Sequence, residues 1–257
     1  MSFVFCDHSF SFMRSTRHKI RLGWCIVGVW MLSFMGGVSF GYAYEEIQVK
    51  NGGRIVGNVK FAGVVPSPKR LDISKDKEIC GKTEKFDQSL VIGEEKGLQN
   101  VLVSLLDIQA GKKFPAEKRV LDQRECVYDP HIIVVPVGRS LSILNNDGVL
   151  HSLHTHSVRN PAFNKAQSKF KKETQVTFSF PEIIQLTCDV HSWMSGWIVV
   201  SEHPYYVVSG RDGAFELTDV PAGEYKLRFW HEILGEKKVS VVVNEGDVSK
   251  VQFWVER

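Results

Sequence analysis

Three side chains that commonly bind metals lie within residues 188–194. Cys188, His191 and Met194 follow one another at the spacing Cys-x2-His-x2-Met, which places a thiolate, an imidazole and a thioether in one short loop. His151 lies upstream, after an Asn-Asp-Gly turn, and can supply a second imidazole. Soft sulfur suits Cu(I), and imidazole serves both oxidation states of copper. The spacing therefore predicts a site for one copper ion.

The surrounding sequence indicates how these side chains would meet. Ile183 to Cys188 is a strand-like run, so Cys188 would lie near the end of a strand. The short stretch Asp189–Met194 would then return His191 and Met194 to the same point. His151 would begin another strand, close enough in sequence for the two strand ends to meet at one pole of a β-sandwich. The alternative is that Cys188 and Met194 are ordinary core residues and His191 lies on the surface.

The N-terminal segment has the composition of an export signal. Met13 is followed by Arg14, Arg17, Lys19 and Arg21, then by an apolar run and small residues up to Ala43. We expect residues 1–43 to be a signal peptide cleaved after Ala43, and the protein to reach the periplasm or cell envelope. The alternative is an uncleaved membrane anchor, because the apolar stretch is just long enough to span a bilayer.

The net charge of the chain comes from this segment. The whole chain has 32 basic and 29 acidic residues, of which residues 1–43 contain four basic and one acidic. The remainder therefore has 28 of each sign. Such a balance gives no indication of a nucleic-acid partner.

The cysteines outside the signal segment number three. If Cys188 binds a metal, Cys80 and Cys126 are left to form a disulfide, which persists in exported proteins. The alternative is two free, buried thiols.

Periodicity predicts an all-β chain. Short runs rich in β-branched and aromatic residues, such as Arg54–Phe61 and Lys250–Val255, are separated by turn sequences containing Gly, Pro, Asn and Asp. After the signal peptide we expect an N-terminal β segment (44–96), a domain that carries the ligands (97–202) and a small β-sandwich (203–257). The last is short for an independent domain.

Residues 126–202 resemble a cupredoxin, a Greek-key β-sandwich. The motifs are Val135-Pro136-Val137-Gly138, the strand Ser140–Leu144, Asn145-Asn146-Asp147, His151-Ser152-Leu153-His154 and the loop 188–194. The loop is most similar to that of amicyanin. The resemblance implies a type 1 (blue) copper site with His151, Cys188 and His191 in the plane and Met194 axial. The family commonly has Asn where this chain has Ser152. The resemblance also implies that the edge of His191 passes electrons. Trp193 would shield the site or form part of a docking surface around His191.

The C-terminal part resembles a second family. Asp212-Gly213-x-Phe215-x-Leu217 followed by Pro221-Ala222-Gly223-x-Tyr225 is similar to the carboxypeptidase regulatory-like, or transthyretin-like, β-sandwich, which is not catalytic. Gly53–Phe61 and Asn100–Val103 look like the first strands of the same module, so one sandwich could be interrupted by the other. The whole arrangement is similar to cupredoxin-bearing proteins of the methylamine-utilisation or plastocyanin-like type.

These features predict an exported single-electron carrier, not an enzyme in its own right, whose partner is another redox protein that the sequence does not identify. No membrane insertion is expected unless the leader stays uncleaved. Three alternatives are a periplasmic copper-handling protein, a structural envelope protein without a redox role, and a relay subunit of a larger oxidoreductase.

Overall fold

A computed structural model describes residues 44–256, so the expected signal peptide at 1–43 lies outside the described residues. As predicted, the described chain is all-β in character. Its helical elements are α1 (Lys77–Cys80) and a 3-10 turn at Glu94–Lys96. Within residues 44–256, no helix has the length and apolar character needed to cross a membrane.

The strands of the first part of the described chain are β1 (Glu45–Glu46), β2 (Gly53–Phe61), β3 (Leu102–Leu106), β4 (Ala110–Gly111), β5 (Arg119–Arg124), β6 (Val127–Asp129), β7 (Ile132–Pro136), β8 (Ser140–Asn145) and β9 (His151–His156). Those of the second part are β10 (Asn164–Gln167), β11 (Glu173–Thr177), β12 (Glu182–Thr187), β13 (Ser195–Ser201), β14 (Tyr206–Val208), β15 (Ala214–Val220), β16 (Gly223–His231), β17 (Gly235–Val243) and β18 (Val248–Val255).

The strands form two β-sandwiches. The first, which we call the site sandwich, has a five-stranded sheet in the order β10-β9-β12-β13-β7 and a four-stranded sheet in the order β11-β8-β5-β6. The second, the flanking sandwich, has sheets in the orders β14-β3-β16-β17 and β15-β2-β18, and β1 pairs with β4 in a short ribbon. In the flanking sandwich, β2 and β3 precede the strands of the site sandwich in the sequence, and β14 to β18 follow them.

Alternation of buried and exposed residues explains why these segments are strands. In β11, Thr174 and Val176 are buried and their neighbours are exposed, and in β12 Ile184 and Leu186 face the same interior. Side chains of a strand point alternately to its two faces, so each strand supplies every second residue to the core. The site sandwich and the flanking sandwich each enclose a separate apolar cluster.

A third apolar cluster joins the two sandwiches. It contains Leu102 of the flanking sandwich and Ile132, Val134 and Val199 of the site sandwich. Beside it, the rings of Trp197 and Trp230 meet edge to face at 5.0 Å. The two sandwiches therefore share a packed interface within residues 44–256.

The pairing of β3 is the main difference from the sequence-based boundaries. Leu102–Leu106 falls within the range 97–202 that we expected to carry the ligands, and it pairs with β14 and β16 of the flanking sandwich. The likeness of that sandwich to carboxypeptidase regulatory-like modules stays a prediction.

Candidate metal centre

Strand pairing brings His151 next to Cys188. The strands β9 and β12 are antiparallel, with Thr187 opposite His154, so the beginning of β9 lies beside the end of β12. His151 is the first residue of β9, and Cys188 directly follows β12. The backbone N–H of Ser152 donates to the Cys188 sulfur at 3.3 Å.

A tight connection between β12 and β13 returns His191 and Met194 to the same place. The Cys188 N–H donates to the carbonyl of Met194 at 3.3 Å, and the Met194 N–H donates to the carbonyl of His191 at 2.9 Å. The Met194 side chain is buried in the same apolar cluster as Cys188. The ligand spacing read from the sequence thus corresponds to a short loop closed by its own backbone hydrogen bonds.

Three donor atoms converge at this point. The Cys188 sulfur lies 4.0 Å from the Nδ1 atom of His151 and 4.0 Å from Nδ1 of His191. The two Nδ1 atoms are 3.0 Å apart. The circle through the three atoms has a radius of about 2.2 Å, close to the bond lengths of about 2.0–2.3 Å that zinc makes to nitrogen and sulfur. This group could hold a metal ion.

Each histidine is held by a carboxylate on its other nitrogen. His151 Nε2 lies 2.8 Å from Asp147 Oδ2, and His191 Nε2 lies 2.8 Å from Asp76 Oδ2. An ionised carboxylate only accepts hydrogen bonds, so Nε2 of each ring carries the proton and donates it. The Nδ1 atom of a neutral ring is then an acceptor with its lone pair directed at the donor group.

This arrangement of lone pairs fits a cation. Two Nδ1 lone pairs at 3.0 Å repel each other unless a proton or a metal ion lies between them, and the nearby thiolate adds negative charge. All three donor residues are at most 2% exposed. The donor set of one sulfur and two imidazole nitrogens is therefore chemically suited to a soft or borderline metal.

The same contacts change the acidity of Cys188. Burial alone would raise its pKa, but the contacts of the sulfur with the His151 and His191 rings and with the Ser152 N–H outweigh burial and lower the pKa from 9.0 to about 5. Burial opposes the charged form of His151 as well, yet its hydrogen bonds to Asp147 and Cys188 raise its pKa. At neutral pH the thiolate needed for metal binding is thus already formed.

We expect this acidity to be measurable in the metal-free protein. The near-ultraviolet absorbance of the thiolate should titrate with a midpoint near pH 5, because the histidines and Ser152 stabilise the anion. Cys188→Ser should remove the titration, since Cys188 is the free cysteine of the described chain. A midpoint near the ordinary thiol value of 9.0 would show that these hydrogen bonds do not form.

Asp147 and Ser152 organise the centre beyond the donor atoms. Asp147 accepts hydrogen bonds from the N–H groups of Glu125 (2.7 Å) and Cys126 (2.8 Å) as well as from His151. The Ser152 hydroxyl accepts from the Asp189 N–H at 2.7 Å and braces the ligand loop. The sequence signal for Asp147 was its turn, which revealed nothing about a contact with a histidine.

The environment of His191 differs from what the resemblance implies. His191 has no exposed surface (0%), because Asp76 and Trp193 lie against its ring. The ring of Trp193 is 4.9 Å from that of His191, and its indole N–H donates to the Cys126 carbonyl at 3.1 Å. Trp193 is partly buried, and its role in docking stays a prediction. The edge of His191 is not exposed to a partner.

Cys80 and Cys126 form a disulfide, as the cysteine count predicted. Cys126 also lies near Asp147 and His151, and these three residues form a second possible metal-binding group. Because the Cys126 sulfur is bonded to Cys80, it is not available as a thiolate, and this second group is not a metal centre.

The scan against protein-family models and the search of curated proteins found no match. Solved structures that match part of the chain include a copper-containing nitrite reductase from Thermus scotoductus SA-01 (20% identity, TM-score 0.31, 36% of this chain and 24% of that chain). A second is a purple cupredoxin from Nitrosopumilus maritimus (20% identity, TM-score 0.29, 33% of this chain and 100% of that chain). A third is amicyanin from Paracoccus versutus (18% identity, TM-score 0.29, 35% of this chain and 86% of that chain). The match thus spans about a quarter of the nitrite reductase chain. These matches cover about a third of this chain.

Proposed function

We propose that this chain is an exported mononuclear type 1 copper protein that carries single electrons and does not itself catalyse a reaction. The observation that carries the proposal is the convergence of Cys188, His151 and His191 within 4.0 Å of one another in a buried site. When bound, copper would supply the one-electron couple. Met194, in the same loop and the same buried cluster, would be its weak fourth ligand.

The donor set favours copper over zinc. Structural zinc sites are built from four strong ligands, usually cysteine and histidine, whereas a thioether is a soft ligand that suits copper. Here the described ligand group offers one thiolate, two imidazoles and the adjacent Met194. One thiolate, two imidazoles and a thioether are the donor set of blue-copper sites, and these four residues would hold such an ion.

Burial of the donors favours electron transfer over catalysis. His151, Cys188 and His191 are covered by protein, so a substrate has no direct access to an ion held between them. Electrons can cross a few ångströms of packed protein, whereas a substrate must reach the metal. The partner in this proposal is another redox protein, and the near-balanced charge outside residues 1–43 does not indicate its sign.

The disulfide supports an oxidising compartment. Bonds such as Cys80–Cys126 persist in the periplasm and outside cells and are rare in the cytosol. Together with the signal-like sequence of residues 1–43, this supports a location in the periplasm or cell envelope.

The test is the absorption and electron paramagnetic resonance spectrum of the protein with Cu(II). We expect an intense thiolate-to-copper charge-transfer band and a narrow hyperfine splitting, both lost in Cys188→Ala. His156→Ala is the matched control for a surface histidine, because His156 is exposed, and it should leave the spectrum unchanged. Weak tetragonal copper signals that persist in Cys188→Ala would reject the proposal, as would stoichiometric zinc binding without the band.

A further inference from the structure

Asp76 contacts the metal centre from a distant part of the chain. It lies between β2 and β3, immediately before α1, whereas His191 lies 115 residues later, between β12 and β13. Its carboxylate accepts the Nε2–H of His191 at 2.8 Å. The Asp76 side chain is 35% exposed and that of His191 is 0% exposed. Asp76 therefore lies between His191 and the solvent.

The backbone of Asp76 has an uncommon conformation. Its φ is 48° and its ψ is 42°, in the left-handed region that Asp adopts more readily than most residues. Its carbonyl accepts hydrogen bonds from the N–H groups of Ile79 (2.9 Å) and Cys80 (2.8 Å), which closes the turn of α1. A backbone conformation of this kind persists where the surrounding structure imposes it. Here one turn joins Asp76 to the disulfide cysteine.

The disulfide connects the supports of the two histidines. Cys80 is the last residue of α1, the helix that Asp76 precedes, and its disulfide partner Cys126 donates its N–H to Asp147. Asp147 in turn accepts the Nε2–H of His151. Cys126 also has a left-handed backbone, with φ 57°. The disulfide thus connects the helix that follows Asp76 with the backbone N–H that holds Asp147.

We propose that Asp76 is a positioning residue of this metal centre, which holds the His191 ring with Nδ1 directed at the donor group. The inference rests on the proposed function, since the ion held there is taken to be copper. Without this acceptor, His191 could carry its proton on either nitrogen, and the ring could turn. The negative charge of Asp76 also favours the more highly charged oxidation state of an ion bound to His191.

The first experiment uses the metal-free protein. Nitrogen-15 spectra of the histidine rings should show His191 with its proton on Nε2 in the wild type. Asp76→Ala should give a mixture of tautomers, whereas Asp76→Asn, which keeps an oxygen acceptor, should largely preserve the wild-type form. Asp72→Ala is the matched control, because Asp72 is an exposed carboxylate of the same segment. An unchanged His191 tautomer in Asp76→Ala would overturn the proposal.

The second experiment uses the copper-loaded protein. Asp76→Ala should weaken copper binding by about 10-fold or more, since removal of a partner of a ligating histidine typically costs 10–100-fold. Asp76→Asn should bind more tightly than Asp76→Ala and should raise the midpoint potential, because it removes the negative charge. Affinity and potential equal to those of Asp72→Ala would overturn the proposal even if the wild type shows the charge-transfer band. Absence of the band in the wild type would reject the copper function, while the tautomer experiment would still judge Asp76.

Discussion

Removal of the disulfide with the double variant Cys80→Ala and Cys126→Ala is expected to lower the free energy of unfolding by about 4 kcal/mol. The bond joins residues separated by 46 positions, and closing a loop of that length restricts the unfolded chain by about this amount in the chain-entropy model. For a chain of this size the loss corresponds to a decrease in Tm of about 8–16 °C. Alanine is the right replacement because both cysteines are completely buried, and a serine would bury a hydroxyl.

Denaturant unfolding measures this loss of stability in the double variant. The wild type with its disulfide reduced provides a second measurement of the same loss. The two should agree, since both lack the cross-link. A loss of less than about 1 kcal/mol in both would show that the unfolded chain is already restricted in this region, and that the chain-entropy estimate does not apply. Because the bond supports Asp76 and Asp147, the double variant should also bind copper more weakly than the wild type.

Asp147→Ala is expected to have the second large effect, a loss of about 3–5 kcal/mol in the free energy of unfolding of the metal-free protein. The substitution leaves three donors without an acceptor: the N–H groups of Glu125 and Cys126, and Nε2 of His151. Cys126 and His151 are fully buried, so water does not easily replace the carboxylate. Copper affinity should fall by about 10–100-fold in parallel.

The matched control for Asp147 is its neighbour Asn146. Asn146→Ala removes one exposed side-chain hydrogen bond, to Asp122, so it should change stability by less than about 0.5 kcal/mol. Denaturant unfolding and copper titration of both variants make the comparison. Equal effects of the two substitutions would contradict the role of Asp147, because the turn alone would then explain the loss.

The pH dependence of the stability of the metal-free protein gives an independent check on the contact between Asp147 and His151. Burial would raise the pKa of Asp147, but hydrogen bonds from His151 and from the Cys126 N–H outweigh it and lower the pKa below 3.8. The stabilisation of the folded state by ionised Asp147 is therefore fully present above about pH 3.8, the pKa in the unfolded chain. It is lost as the pH falls through the lower pKa of the folded protein. The pKa of His151 is raised above 6.5, its value in the unfolded chain. The stabilisation of the folded state by protonated His151 is therefore fully present below about pH 6.5 and is lost as the pH rises through the higher pKa of the folded protein. Asp147→Asn should reduce both dependences.

Much of the secondary structure could be predicted because strand signals are local. Alternating residues identify β12 and β18, and the turn sequences bound β15 and β16. The strand β9 was expected to begin at His151, after the Asn-Asp-Gly turn, and it does. Its sequence His-Ser-Leu-His-Thr-His lacks a hydrophobic run, so the sequence did not show which strands would be its neighbours. The structure pairs it with β10 on one side and β12 on the other.

The candidate site divides in the same way. Cys188, His191 and Met194 could be recognised from the sequence alone, because all three lie in one short loop and their spacing is itself the signal. The carboxylates that hold the two histidines could not be recognised in this way. Asp147 looks like a turn residue and Asp76 like one charge among many in a polar segment, and neither spacing nor composition relates Asp76 to a histidine 115 residues away.

The sequence by itself thus determined the all-β class and the candidate donor loop, since these depend on local periodicity and short spacing. Counting cysteines predicted the disulfide only if Cys188 binds a metal, and the structure decided between that bond and two free thiols. The tertiary structure alone decided that the donor atoms of His151, Cys188 and His191 converge, because this depends on the antiparallel register of β9 and β12. It also decided that His191 is buried beneath Asp76. That contact requires the segment before α1 to fold against the β12–β13 loop, and contacts between distant parts of a chain leave no local pattern in its sequence.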